Sequence, residues 1–255
     1  ISKEIVKQAY PDAGKPITEE LGKLGAAVIQ LIRVPVEKFR DGAFWQGKQI
    51  ENFWLDNVTP KLAYTVKEKI VEPDSHIAIP ALIALSYTHE QEELREMYAN
   101  LLANAMDSDT KDNVHPSFIE VIKQLTPKEA QLLSMLDERQ DWKTPTICTS
   151  KITKTPSMQT NRSSYGGGGG YATNHILDEF VKSCEGSVSK VVAMTALDNF
   201  RRLRLMDVAL NVHQNLVTRN NAFEMKTDYT EYLFWTPYGQ VFLQMCVKSK
   251  GGDGV

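Results

Sequence analysis

The residues best suited by type to acid–base chemistry are His115 and Ser117, two positions apart in the run His115-Pro116-Ser117-Phe118. An imidazole near a hydroxyl could accept its proton during a reaction. The same run is also typical of a helix start, because a polar residue precedes a proline in the first turn and an aromatic residue follows. We favour the helix start and predict no catalytic residue.

Three other runs imitate known sites but lack a residue that the chemistry requires. The acidic run from Asp107 to Asp112 begins like a calcium loop, yet its sixth position is aspartate where glycine is needed. The glycine run from Gly166 to Gly170 is not followed by the Lys-Ser/Thr of a phosphate-binding loop. The run from Ser187 to Lys190 matches S-x-x-K without the partner motifs of penicillin-binding enzymes.

The histidines and cysteines do not indicate a metal site. The five histidines are scattered, and the three cysteines, Cys148, Cys184 and Cys246, share no C-x-x-C spacing. An odd number of separated cysteines is typical of reduced thiols in a reducing compartment. The N-terminus carries no signal-peptide pattern. We therefore predict a cytoplasmic protein with no metal and no small-molecule cofactor.

Basic residues of the second half form a candidate contact set for nucleic acid. Four lie on the predicted helix Val188–Arg204, and they are Lys190, Arg201, Arg202 and Arg204. The other two, Arg219 and Lys226, lie in or near the predicted wing. Asp198 and Asp207 accompany them, and the whole chain has a net charge of −3, which gives no global attraction to DNA. DNA binding therefore stands as an alternative to protein binding or self-association through the same domain.

An apolar stripe from Leu21 to Phe39 is a second candidate binding surface. Its flanking basic residues, as in helices that lie on membranes, are Lys23, Arg33, Lys38 and Arg40. A core-facing helix shows the same pattern, and we favour that interpretation. Membrane association remains an alternative.

The chain has 255 residues and the composition of a packed globular protein. The elements that must position the residues named above are mostly helices. Pro80 is predicted in the first turn of its helix, and Thr88 and Thr126 are predicted to cap theirs. The helices predicted from apolar spacing in the first half are Ser2–Tyr10, Thr18–Val34, a short piece after Pro35, Gln46–Lys69, Ile77–Ser86, Thr88–Met106, Pro116–Leu125 and Pro127–Glu138.

The second half mixes strands with helices. A strand at residues 144–153 and a Ser/Gly loop at 156–173 precede two helices, His175–Cys184 and Val188–Arg204. Two strands, Leu205–Val212 and Tyr229–Trp235, enclose a polar loop, and a last helix follows at Pro237–Val247. This order is typical of a winged helix-turn-helix unit.

Several stretches of the first half resemble the hallmark of the Abi-alpha family. They are Glu72-Pro73, Ile79–Leu82, Leu94–Ala103 and His115–Pro127. The family signature falls, with structural roles, on Pro80, Leu101, Leu102, His115, Pro116 and Phe118. The ending Thr236-Pro237-Tyr238-Gly239 resembles the winged-helix-like tail that many members carry. The resemblance implies a bacterial or prophage-borne protein linked to abortive infection, a phage defence in which infected cells stop growing or die, and implies no known chemistry.

Residues and resemblance together predict a mainly α fold. A helical domain, 1–140, precedes a winged-helix-like α+β domain, 141–255, in which residues 156–173 form a flexible loop. The expected function is non-enzymatic: sensing or sequestering a macromolecule in phage defence, with a protein partner or a second copy of the chain. The alternatives are a DNA-binding regulator and a membrane-acting effector.

Overall fold

The computed structural model describes Lys23 and residues 52–88, 90–138, 146–154, 173–184, 186–219 and 222–248. Their fold is mainly helical, with a three-stranded antiparallel sheet in the C-terminal part. They form two compact units, one made of residues up to Asp137 and from Val241 onward, the other running from Glu138 to Gln240. No helix in the described part of the chain is long and apolar enough to cross a membrane.

Unit 1 is a helical bundle around one central helix. Its elements are α1, residues 52–62, with a π-helical turn at Trp54–Val58; α2, Ser75–Thr88; α3, Glu92–Ala105; α4, Ser117–Lys123; and α5, Pro127–Glu138. Short 3-10 turns lie at Lys67–Lys69 and Lys111–Asn113. Helix α3 is buried from Met97 to Ala105, because α1, α2 and α4 surround it. The last helix, α8, begins at Pro237 and continues through a π-helical turn at Leu243–Val247, which also packs on α3.

The capping box predicted at Thr126 is confirmed. The Thr126 backbone N–H donates to Glu129 Oε2 at 2.7 Å, and the Glu129 backbone N–H donates to Thr126 Oγ1 at 3.2 Å. Each side chain thus satisfies a backbone donor that the first turn leaves without a partner. The box fixes where α5 begins.

Other predicted boundaries in unit 1 are wrong. Thr88 ends α2 and donates to the Ala84 carbonyl, so it does not cap α3, which begins after Gln91. Helix α2 begins at Ser75, where Asp74 Oδ1 accepts from the His76 N–H, and Pro80 therefore lies inside the helix. The helix predicted to reach residue 69 ends at Leu62. Local propensity did not decide these boundaries because tertiary packing overrides it.

Unit 2 contains the sheet and two helices. Strand β1 spans Thr146–Lys154, α6 Thr173–Ser183, α7 Lys190–Arg202, β2 Met206–Arg219 and β3 Ala222–Trp235. The strand order is β1-β3-β2, and both pairings are antiparallel. Helices α6 and α7 cover one sheet face, where Leu233 and Trp235 are buried.

The β2–β3 hairpin is longer than predicted. Residues 213–228, predicted as a polar loop, are mostly strand, because β2 pairs with β3 over fourteen consecutive residue pairs. Antiparallel pairing satisfies the backbone groups that face the partner strand, whatever the polarity of the side chains. The polar composition of residues 213–228 is therefore compatible with a strand, and the prediction of a loop was wrong.

The predicted helices Ser2–Tyr10 and Thr18–Val34, the piece after Pro35 and most of the Ser/Gly loop lie outside the described residues. Lys23 alone is described there, as helical and exposed.

Candidate functional site

Helix α7 presents the candidate surface of unit 2. It begins at Ser189, whose Oγ accepts the Val192 backbone N–H at 3.4 Å. Its inner face is buried against the rest of the unit through Ala193, Ala196, Leu197 and Phe200. Residues three or four positions apart lie on the same face of a helix, so the opposite face of α7 points away from the rest of the unit.

The outward face of α7 has mixed chemistry. Val191 is 72% exposed, and Thr195, Asp198 and Arg202 follow it at helical spacing, all exposed. The stripe thus joins an apolar residue, a hydroxyl and one charge of each sign. A phosphate-binding face, by contrast, is strongly positive.

The six residues predicted for nucleic acid fall into two groups. Lys190, Arg201 and Arg202 lie on α7 and Arg204 in the turn after it, all exposed, whereas Arg219 and Lys226 lie in the hairpin. Among those whose side chains the structure describes, two contact other side chains of unit 2. Lys190 Nζ lies 3.5 Å from Asp178 Oδ1, and Arg202 donates through Nε and Nη2 to Asn199 Oδ1 at 3.1 and 2.6 Å.

Arg204 has an unusual backbone conformation at the end of α7. Its φ is 61°, in the left-handed region where glycine is the usual residue. The Leu205 N–H donates to the Phe200 carbonyl and the Arg204 N–H to the Arg201 carbonyl, which is the hydrogen-bond pattern of a Schellman motif. Arginine therefore occupies a position whose backbone conformation glycine adopts at a lower conformational cost.

The run Thr236-Pro237-Tyr238-Gly239 holds this turn. Thr236 Oγ1 donates to the carbonyl of Arg204 and accepts the Gly239 N–H at 2.9 Å. A Cβ at Gly239 would lie 2.0 Å from the Leu205 carbonyl oxygen, so only glycine lets α8 begin so close to the turn. The residues of this run thus have a structural explanation, which sequence reasoning did not give.

Two asparagines of α3 form a second polar cluster, inside unit 1. Asn100 Nδ2 donates to the carbonyls of Cys246 and Val247 at 3.0 and 3.2 Å. Asn104 Nδ2 donates to the Met245 carbonyl at 3.0 Å. These carbonyls end the last helix, where intrahelical donors are missing. Two asparagines four residues apart within an apolar helix were the sequence signal, and our prediction missed it.

Tyr98 and Cys246 lie in the same part of unit 1. Burial raises the pKa of Tyr98, and the nearby Glu120 and Cys246 add to the shift. Burial alone raises the pKa of Cys246. Burial, with smaller contributions from Glu179 and Cys184, raises the pKa of Cys148 in unit 2 to about 12. Both thiols stay protonated at neutral pH and are poor nucleophiles, because the thiolate is the reactive form.

The predicted signature residues all lie in unit 1. Leu101 and Leu102 are fully buried in α3, and Phe118 packs edge to face on Phe242 with ring centroids 5.5 Å apart. His115 Nδ1 accepts the Ser117 N–H at 3.1 Å and lies 2.6 Å from Ser117 Oγ, immediately before α4. Pro116 lies in that turn, and Pro80 is exposed on α2. The contacts of His115 thus lie at the start of α4.

The acidic run after α3 is held by internal contacts. Asp107 accepts the Asp109 N–H at 3.0 Å, and Lys69 Nζ lies 2.6 Å from Asp109 Oδ2. Within the described ranges, no group of three or more His, Cys, Asp or Glu residues could hold a metal ion. The run thus closes a loop between helices.

Comparison with known proteins gives one match. A family described as "Abortive infection alpha" matches residues 48–246, which include most of both units. Among curated proteins and solved structures, no match was found.

Proposed function

Since the chain belongs to the abortive infection alpha family, its general role is in phage defence, and we propose that it acts there through macromolecular contact rather than by catalysing a reaction. The polar contacts of unit 1 support this proposal. Asn100, Asn104, Thr126 and Glu129 hold or begin helices, and His115 is occupied at a helix start.

The proposed contact module is unit 2, as a winged helix-turn-helix variant. Its order of strand, two helices and a hairpin, with the first strand beside the third, supports this proposal. Helix α7 then takes the position of the recognition helix, and the β2–β3 hairpin takes that of the wing. Such modules bind nucleic acid or protein.

The single observation that carries the choice of a protein partner is the outward stripe of α7. Val191 at its N-terminal end is 72% exposed, and Asp198 and Arg202 oppose one another in charge. An exposed apolar residue with mixed charges around it is typical of protein interfaces, which exclude water at an apolar centre. The first turn of a DNA-reading helix would instead meet phosphates with several cations, and here it offers Lys190, which already lies near Asp178.

The test is a charge placed on the stripe. Val191→Glu should abolish protection in a plaque assay of bacteria that express the protein, because a buried interface cannot accept an unpaired carboxylate. Val66→Glu, at a residue 59% exposed in unit 1, is the matched control and should leave protection intact. Thermal unfolding of both variants confirms that they fold. Full protection by Val191→Glu would contradict the proposal.

Gel-shift titrations separate the DNA-binding alternative. If unit 2 reads DNA, the protein should bind duplex DNA tightly at low salt, and Arg201→Glu should weaken that binding and its salt dependence. We expect no such binding.

A further inference from the structure

The outer side of strand β2 is a long open sheet edge. Strand β3 lies in the middle of the sheet, so β1 and β2 form its two edges. Fourteen consecutive residues of β2 pair with β3 on the inner side, and within the described part of the chain no strand pairs with the outer side. Backbone N–H and C=O groups along such an edge form a template for another strand.

The two edges of this sheet differ in their protection. The register of β1 is irregular between Thr146 and Cys148, and β1 exposes Lys151. Bulges and lysines are the features by which proteins prevent pairing at an edge. Strand β2 contains neither lysine nor proline, and its register is unbroken from Met206 to Arg219. The β2 edge therefore lacks the protection that the β1 edge has.

The middle of β2 exposes apolar side chains as well as backbone. Residues 209–215 are all exposed, and among them Leu210 and Val212 are 48% and 46% exposed. Because side chains alternate between faces, these two lie on the same face of the sheet. A strand added at this edge would cover them.

We propose that β2 pairs antiparallel with β2 of a second copy of the chain, so that two three-stranded sheets join into one across a two-fold axis. Antiparallel pairing of one strand with its own copy is self-complementary, as a two-fold interface requires. Residues 208–218 carry no charged side chain, so the two copies meet without like charges opposite each other. The same neutral run gives nucleic acid no cations to contact.

A two-fold axis perpendicular to the sheet requires a residue that faces its own copy. The register centred on His213 sets Asp207 of one copy opposite Arg219 of the other at both ends of the pairing. Opposite charges at facing positions stabilise a strand pair. This register therefore agrees best with the sequence.

Sedimentation velocity over a concentration series tests the dimer. The unsubstituted protein should dimerise, and Leu210→Lys and Val212→Lys should each raise the dissociation constant by about tenfold or more, because lysine opposes edge pairing. Thr149→Lys, on the exposed face of β1, is the matched control and should not change it. A protein that stays monomeric, or a dimer that both variants leave intact, would overturn the proposal.

Single cysteines test the register. On mild oxidation His213→Cys should form an intermolecular disulfide, because two thiols at the axis face each other. Asn211→Cys and Asn215→Cys should not cross-link with their own copies, since each faces the other position in this register. Cross-linking of all three alike, or of none beyond the unsubstituted protein, would contradict it. Both experiments use purified protein without phage or nucleic acid, so their outcome is independent of the proposed role of α7.

Discussion

The Tyr98 hydroxyl is a buried donor without a hydrogen-bond partner among the described residues. A buried polar group in this state costs about 1–3 kcal/mol of stability. We therefore expect Tyr98→Phe to increase the free energy of unfolding by about 1 kcal/mol in urea titrations at neutral pH. A loss of stability would mean that the hydroxyl makes a contact with the remaining part of the chain.

The same residue gives a pH dependence. The pKa of Tyr98 is raised in the folded protein, chiefly by burial. Above the unfolded pKa of about 10, the unfolded state releases this proton more readily than the folded state, so the free energy of unfolding falls as pH rises. Tyr98→Phe should therefore unfold less readily than the unsubstituted protein at alkaline pH, by a margin larger than at pH 7.

Arg204 and Gly239 give opposite predictions at one turn. Arg204→Gly should stabilise unit 2 by about 1 kcal/mol, because glycine adopts a positive φ without the steric cost that other residues meet. Gly239→Ala should destabilise it by about 1–3 kcal/mol, because the new methyl group would overlap the Leu205 carbonyl. Urea unfolding followed by circular dichroism measures both. Reduced phage protection by a stable Arg204→Gly variant would show that the guanidinium has a functional role.

At the scale of elements, the capping box of α5 allows a direct test. Glu129→Ala removes the acceptor of the Thr126 backbone N–H and should cost about 0.5–2 kcal/mol. Glu129→Gln keeps an acceptor and should cost less. Equal losses in the two variants would mean that the carboxylate charge, rather than the cap, stabilises the helix.

The elements that could be predicted from the sequence are those whose ends are fixed by local chemistry. Thr126 with Glu129 gave the start of α5, and apolar spacing gave α3 and α7 to within a few residues. The hairpin was underestimated because residues 209–215 of β2 are exposed, and exposed strand positions need not alternate between apolar and polar residues. The wrong cap at Thr88 arose from a pattern that tertiary contacts override, since α2 continues through that residue.

The candidate site was predictable in part for the same reason. The basic residues of α7 lie on one helix as expected, because one element places them. The contact of Lys190 with Asp178 joins two helices, and the open edge of β2 depends on the strand order. A single sequence does not encode these relations as local patterns. The mixed apolar and charged character of the outward face of α7 is therefore visible only in the tertiary structure.

At the scale of the whole molecule, the chain closes unit 1 with its last described helix. Residues from Val241 onward belong to unit 1, although about a hundred residues of unit 2 precede them. Asn100 and Asn104 donate to carbonyls of this segment, and Phe242 packs against Phe118. Unit 1 is thus completed only after unit 2 has been synthesised, and its contacts with the last helix close a long loop, at an entropic cost that grows slowly with loop length.

Truncation after Gln240 should therefore destabilise a unit whose other described residues lie more than a hundred positions earlier. It would leave the Asn100 and Asn104 amides without the acceptors of Met245, Cys246 and Val247, and would uncover the buried core around Phe118. Hydrogen exchange followed by mass spectrometry should show faster exchange in α3 and α4 of the truncated protein. The milder Asn104→Ala variant should cost about 1–3 kcal/mol, because it leaves the Met245 carbonyl without its donor. Unchanged protection of α3 after truncation would contradict the role of the last helix.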